Sequence, residues 1–193
     1  MRNKLQKLKK PLKKFLVRTQ SSRFYGRMGR IVRKELQVLE VSRADWEVVH
    51  AILNPGAADP PLPQGENCTT YIAKRKGRVI GYVQLVHAEK GSGMPPGLWL
   101  FSLWVRVWYR RMGVGELLSL RVAQAARERG AVELYLMLFE DNLPAVRLYQ
   151  KLGFKPRIFP ELEDRLDTAE QSCGRKQVVM AVSVQDVIDP NSP

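Results

Sequence analysis

Apolar residues run along this chain in two rhythms. From Leu98 to Val107, LWLFSLWVRV, they form a nearly unbroken stretch interrupted only by Ser102 and Arg106. A bilayer crossing needs about 20 such residues, so the stretch predicts a buried strand. Downstream the period lengthens. Leu117, Leu118, Val122, Ala125 and Ala126 share one face of a helix that Gly130 ends. AVELYLMLF (131–139) returns to a strand pattern. Strand, helix and strand with a crossover of this length predict a parallel pair in a right-handed βαβ unit. A second helix follows: Asn142 is placed to cap it, Pro144 suits its first turn, and Gly153 closes it. Ala145, Leu148, Tyr149 and Leu152 form its packed stripe.

The upstream half reads similarly. Ile31 to Val41 alternates loosely, which predicts a first strand. Ser42 stands three residues before Asp45 as a helix cap, and Trp46, Val48, Val49, Ile52 and Leu53 give that helix an apolar face. Residues 54–67 hold four prolines and two glycines and predict a loop or lid. Cys68 to Lys90 reads as a hairpin turning at Lys74–Arg78, and 91–97 as a connector. GRKQVVMAVSV (174–184) is a closing strand, with a polar tail after it. The expected class is α/β, a mixed central sheet flanked by helices.

Charge changes this picture at one end only. The net charge is +13, yet thirteen of the 32 Lys and Arg fall within residues 1–34, which contain no acid. The remaining nineteen balance the 19 acids. The excess charge thus lies within the first 34 residues, and the chain divides into a basic N-terminal arm (1–30), a domain (31–186) and a tail (187–193). Leu5, Leu8, Leu12, Phe15 and Leu16 recur at near-helical spacing within the arm, although Pro11 interrupts them. The arm suits an anionic membrane surface, nucleic acid or a ribosome, or serves only as a solvated tail. It is basic enough for an organellar presequence but poor in serine. No apolar run has signal-peptide or transmembrane length, so a soluble cytoplasmic protein is expected. Cys68 and Cys173 stand apart, and with His50 and His87 they make no zinc spacing. No metal is expected.

The candidate chemistry lies between the central strand and its helix. Gly113 and Gly115 sit there among basic residues. A strand passing through glycines into a helix leaves main-chain N–H groups pointing outward, with the positive end of the helix dipole behind them. That makes an anion cradle suited to pyrophosphate. No Gly-Lys-Ser/Thr ending follows, which excludes a P-loop, and Leu118 stands where G-x-G-x-x-G needs its third glycine.

Arg110-Arg111-Met112-Gly113-Val114-Gly115 resembles the R/Q-x-x-G-x-G/A signature of the GNAT superfamily of acyl-CoA-dependent N-acyltransferases. Asn142 to Phe154 is similar to that family's final motif, N-x-x-A-x-x-x-Y-x-x-x-G-F, and follows at the right distance with one strand between. The likeness covers roughly residues 31–184. It implies a GNAT fold and acetyl transfer from acetyl-CoA to a primary amine. It also implies roles. Main-chain groups of Leu103, Trp104 and Val105 would pair with the pantetheine arm. Backbone amides of Arg111, Met112, Gly113, Val114, Gly115 and Glu116, with Arg110 beside them, would hold the pyrophosphate. Asn142 would touch the cofactor, and Tyr149 would face the thioester sulfur.

A phenol of pKa ~10 giving its proton to a thiolate near ~8.5 works uphill by about 2 kcal/mol. Tyr149 must therefore act as a hydrogen-bond donor or carry a lowered pKa. Some relatives that modify protein N-termini have a glutamate on the fifth strand, where Met137 stands here. Glu140 and His87 are the other candidate bases, and a water relay is the third option. The stretch 161–170 holds five acids and one Arg, a rim that suits a cationic acceptor. The rival reading is a non-catalytic acyl-CoA-binding module tethered by the arm. A dimer is compatible with either.

Overall fold

The computed structural model describes residues 28–53 and 67–187. The expectations for the rest of the arm, for the proline-rich loop 54–66 and for the tail from 188 lie outside the described residues. Seven strands form one sheet in the order β1-β2-β3-β4-β5-β7-β6. They are β1 (Leu36–Glu40), β2 (Cys68–Arg75), β3 (Arg78–Ala88), β4 (Gly97–Val105), β5 (Glu133–Phe139), β6 (Lys155–Pro156) and β7 (Gln177–Ser183). Helices α1 (Arg43–Leu53), α2 (Val114–Glu128), α3 (Leu143–Lys151) and α4 (Glu163–Cys173) lie on its two faces. This is the mixed sheet between helices that the sequence predicts. Among the described strands only β4 and β5 pair in parallel, as the crossover through α2 requires.

One side of the sheet carries α2 and α3. Leu118 and Val122 of α2 and Tyr149 and Leu152 of α3 are buried there with Leu134, Leu136 and Leu138 of β5. The other side is covered in two separate patches. Trp46 and Val49 of α1 pack on Ile72, Val79 and Tyr82. Leu162, with the half-buried Leu166 and Phe159, packs on Trp99 and Val179. The expected cap at Ser42 is present: the Asp45 N–H donates to Ser42 Oγ at 3.2 Å, and Ser42 Oγ donates back to the Asp45 carboxylate at 2.7 Å.

The first strand is shorter than expected. Residues 28–34 are helical, and β1 starts only at Leu36. Met28 and Val32 stand four apart and both pack into the core beside Met112 and Val114. On a helix that spacing stacks the two side chains one turn apart, about 6 Å, whereas in a strand they would share a face but stand about 13 Å apart. The acidic connection 161–170 is likewise structured: it forms a 3₁₀ turn (Pro160–Leu162) and most of α4, with all five acids exposed.

The middle of the sheet is splayed. β4 and β5 pair only at Leu98, Trp99 and Leu100. On the other side of β4, Tyr82 opposes Trp104 while Gln84 opposes Phe101, so β4 carries an extra residue there. Ser102 absorbs it with φ +54°, a conformation an L-residue rarely adopts. The bulge bends β4 as it parts from β5, and the parting opens a cleft.

Candidate active site

The cleft is a cavity of about 650 Å³ between the end of β4, the start of α2 and the outer face of α3, a size that suits a small-molecule or cofactor ligand. Leu103, Trp104 and Val105 line it from β4, and Arg110, Arg111, Gly113, Gly115 and Glu116 from the turn into α2. Asn142, Pro144, Ala145, Leu148 and Lys151 supply the α3 wall. Two residues of the hexapeptide instead face the core: Met112 and Val114 are buried beneath the turn, and only their main chain is near the cleft.

The turn is held in an unusual conformation. Arg111 has φ +62° and Gly113 φ +85°, and for the non-glycine Arg111 this costs about 1–2 kcal/mol. Strain of this kind is tolerated where the surroundings hold it in place. Arg110 Nε donates to the Val105 carbonyl at 3.0 Å, tying the turn to the end of β4. Gly113 caps α2 without any side-chain hydrogen bond, while α3 is capped by Asn142 Oδ1, accepting from the Ala145 N–H at 3.4 Å. An added Cβ at Gly115 would stand 3.5–3.8 Å from Leu148, Leu103 and Val105, projecting into the cleft without striking the protein. Main chain thus forms the floor of the cleft at this point.

Glu116 was expected only as a backbone contact, and its side chain matters more. It is buried beside the place an anion would occupy. A bare carboxylate about 4 Å from another anion costs about 4 kcal/mol at an effective dielectric near 20. Two cations offset that. Arg33 Nη2 donates to Glu116 Oε1 at 3.3 Å and Lys151 Nζ to Oε2 at 2.7 Å, from opposite walls. Neither cation was found from the sequence. Lys151 lies inside the second motif but at a variable position, and Arg33 is about 80 residues from the turn. The lone acid closing the basic run Arg110–Glu116 was the available signal.

Tyr149 does not line the cleft. It is one position round α3 from Leu148, 5 % exposed, with its ring edge-on to Phe154. Its hydroxyl pairs with Ser119 of α2, and Ser119 Oγ donates to the Gly115 carbonyl at 2.9 Å. Burial pushes the phenol's pKa well above its ordinary value, only partly opposed by Ser119. The lowered pKa offered as one expectation is therefore corrected: desolvation disfavours the phenolate.

The candidate bases lie elsewhere. Glu140 sits at the exposed end of β5, 3.6 Å from Lys176, in a shallow surface pocket with Asp141 and Arg175. His87 pairs with Leu98 at the opposite end of β4, roughly 23 Å along the strand from Val105 at ~3.3 Å per residue. Met137 is half-buried in the aromatic cluster of Trp99, Tyr135 and Phe159. On that side of the sheet Trp104 stacks on Tyr82 at 5.7 Å and 17°. The ground between this pair and the aromatic cluster separates α1 from α4. Among the described residues no group of three or more His, Cys, Asp or Glu could hold a metal ion, and no helix is long and apolar enough to cross a membrane.

A splayed mixed sheet, with a helix start that no side chain caps at the mouth of the splay, thus forms the site. The family described as Acetyltransferase (GNAT) family matches residues 37–154, and the chain belongs to it. It is 33% identical over 85 residues to human N-acetyltransferase 8, and 34% identical over 93 residues to N-alpha-acetyltransferase of Sulfurisphaera tokodaii. Each match spans 44% of this chain, but only 37% and 55% of those relatives' lengths. Among solved structures, the ribosomal-protein-S18-alanine N-acetyltransferase from Escherichia coli superimposes with a TM-score of 0.57 at 18% identity. The match covers 82% of this chain and 99% of that one. A structure from Bacillus anthracis that contains acetyl coenzyme A gives 0.58 at 17% identity, covering 77% and 97%.

Proposed function

We propose that this chain transfers the acetyl group of acetyl-CoA to a primary amine by direct attack. The observation that carries the reading is the cleft itself: β4 leaves β5 after Leu100, and the uncapped start of α2 closes the gap. Acetyl-CoA supplies the thioester. The β4 edge from Leu103 to Val105 would take the pantetheine arm by main-chain pairing, with the Val105 carbonyl already engaged by Arg110. The amides of α2's first turn, with Arg110 and Arg111, would hold the pyrophosphate.

The acceptor amine enters from the far side of the sheet, between α1 and α4, near Trp104. It must arrive neutral, so a lysine-like amine of pKa ~10.4 first loses a proton. As the new C–N bond forms and the C–S bond breaks, the second nitrogen proton passes through water to the leaving sulfur. The carboxylate that lines the cleft, Glu116, is engaged by Arg33 and Lys151, so positioning supplies much of the rate. Tyr149 remains a neutral phenol, bracing Ser119 and the Gly115 turn. The exposed acids of α4 favour a cationic acceptor, a polyamine or a basic peptide. The relatives named for protein N-terminal acetylation support the peptide branch.

The test is free-thiol release from acetyl-CoA in the presence of polyamines, aminoglycosides and peptides. Release with at least one amine is expected. Calorimetry showing no CoA binding at all would overturn the reading.

A further inference from the structure

Residues 28–34 are no part of the Gly-x-Gly signature, yet they dock on it at three points. Gly29 lies against the main chain of Met112, so that an added Cβ would stand 3.3 Å from the Met112 carbonyl oxygen. Val32 is fully buried in the core cluster that also holds Met112 and Val114. Arg33 crosses Gly113, where an added Cβ would collide with Nε, Nη2 and Cζ of the guanidinium, the last at 2.6 Å. The same guanidinium donates to Glu116 and lines the cleft.

We propose that Arg33 is a phosphate-binding residue of the cofactor site, bringing a charge-assisted contact to the pyrophosphate of CoA from outside the signature turn. Glu116 is the positioning carboxylate that aims it. This rests on the reading of the cleft as an acetyl-CoA site. The chemistry fits: a guanidinium is a planar fork of five N–H donors matched to phosphate oxygens, always charged. The packing fits as well. Arg33's side chain is 29% exposed and lines the cleft. The arrangement also explains the acid in an anion site. Glu116 holds Arg33 on one wall and Lys151 on the other, so two cations face the ligand in place of one buried carboxylate. Gly113 then has a second duty, since any side chain there would push Arg33 off its seat.

The test is calorimetric titration of the full chain with CoA and with 3′-dephospho-CoA, which keeps the pyrophosphate. Arg33→Ala is expected to weaken CoA binding by about tenfold to a hundredfold, the worth of one charged hydrogen bond. Arg33→Lys keeps a cation but not the fork, and is expected to fall between that variant and the wild type. The same losses are expected with 3′-dephospho-CoA. A wild type that fails to bind CoA overturns the reading of the cleft and this proposal with it. Wild-type binding with both variants unchanged overturns Arg33 alone. A loss seen with CoA but absent with 3′-dephospho-CoA places Arg33 on the ribose phosphate and overturns the pyrophosphate assignment. Should Arg33→Ala melt at a much lower temperature, Arg33→Lys carries the comparison.

Discussion

Gly115 and Tyr149 are joined through Ser119, and the two positions separate binding from chemistry. A Cβ at Gly115 meets only ordinary contacts within the protein, so Gly115→Ile is expected to fold with a nearly unchanged melting temperature. Its branched side chain would fill the floor of the cleft, and CoA affinity is expected to fall by about a hundredfold or more, read by calorimetry. Tyr149→Phe removes one buried hydroxyl partner, expected to lower stability by about 1 kcal/mol in urea denaturation. A proton-donating acid contributes about 10²–10⁴ to the rate. The buried phenol, its pKa raised, is instead expected to give a kcat loss of no more than about tenfold. A larger loss, or a pH–rate limb that disappears in the variant, would assign it proton transfer.

At the scale of the element, β4 decides the site through Ser102. Its left-handed backbone carries the bulge that turns β4 as the strand leaves β5. A β-branched side chain is strained in that region, so Ser102→Ile is expected to lower stability by about 1–2 kcal/mol. The same variant should weaken CoA binding, because the edge from Leu103 onward would be re-aimed. Ser102→Gly, free of that strain, is expected to keep both properties, and equal behaviour of the two variants would show that the bulge is incidental. The helix over 28–34 makes the opposite point. Its residues were read as arm and strand because charge and loose alternation dominate locally. Burial of Val32 beneath the turn is a tertiary fact with no local signature.

Across the whole molecule, the sheet carries one continuous helical layer on one side and two patches on the other. On the proposed reading, an acceptor amine would approach between those two patches of described residues. Tyr71, Tyr82, Tyr135 and Tyr149 have pKa values raised chiefly by burial. In the unfolded chain they ionise near pH ~10, while the folded protein keeps their protons. Stability is therefore expected to be indifferent to these groups below pH ~10 and to fall as pH rises above it. Urea midpoints measured from pH 8 to 11 check this, and a flat profile through pH 11 would contradict it.

Whereas α4 in the acidic stretch 161–170 came only with the structure, sequence alone determined α1, the β2–β3 hairpin, β4, α2, β5, α3 and β7, the parallel pair about α2, and the two motifs at one cleft. These follow from periodicity, caps and glycines, which act over a few residues. Only the tertiary structure decided which side chains complete the site. Arg33, Glu116 and Lys151 meet across three elements, and Tyr149 turns inward, because packing and charge neutralisation act between residues that the chain order keeps far apart.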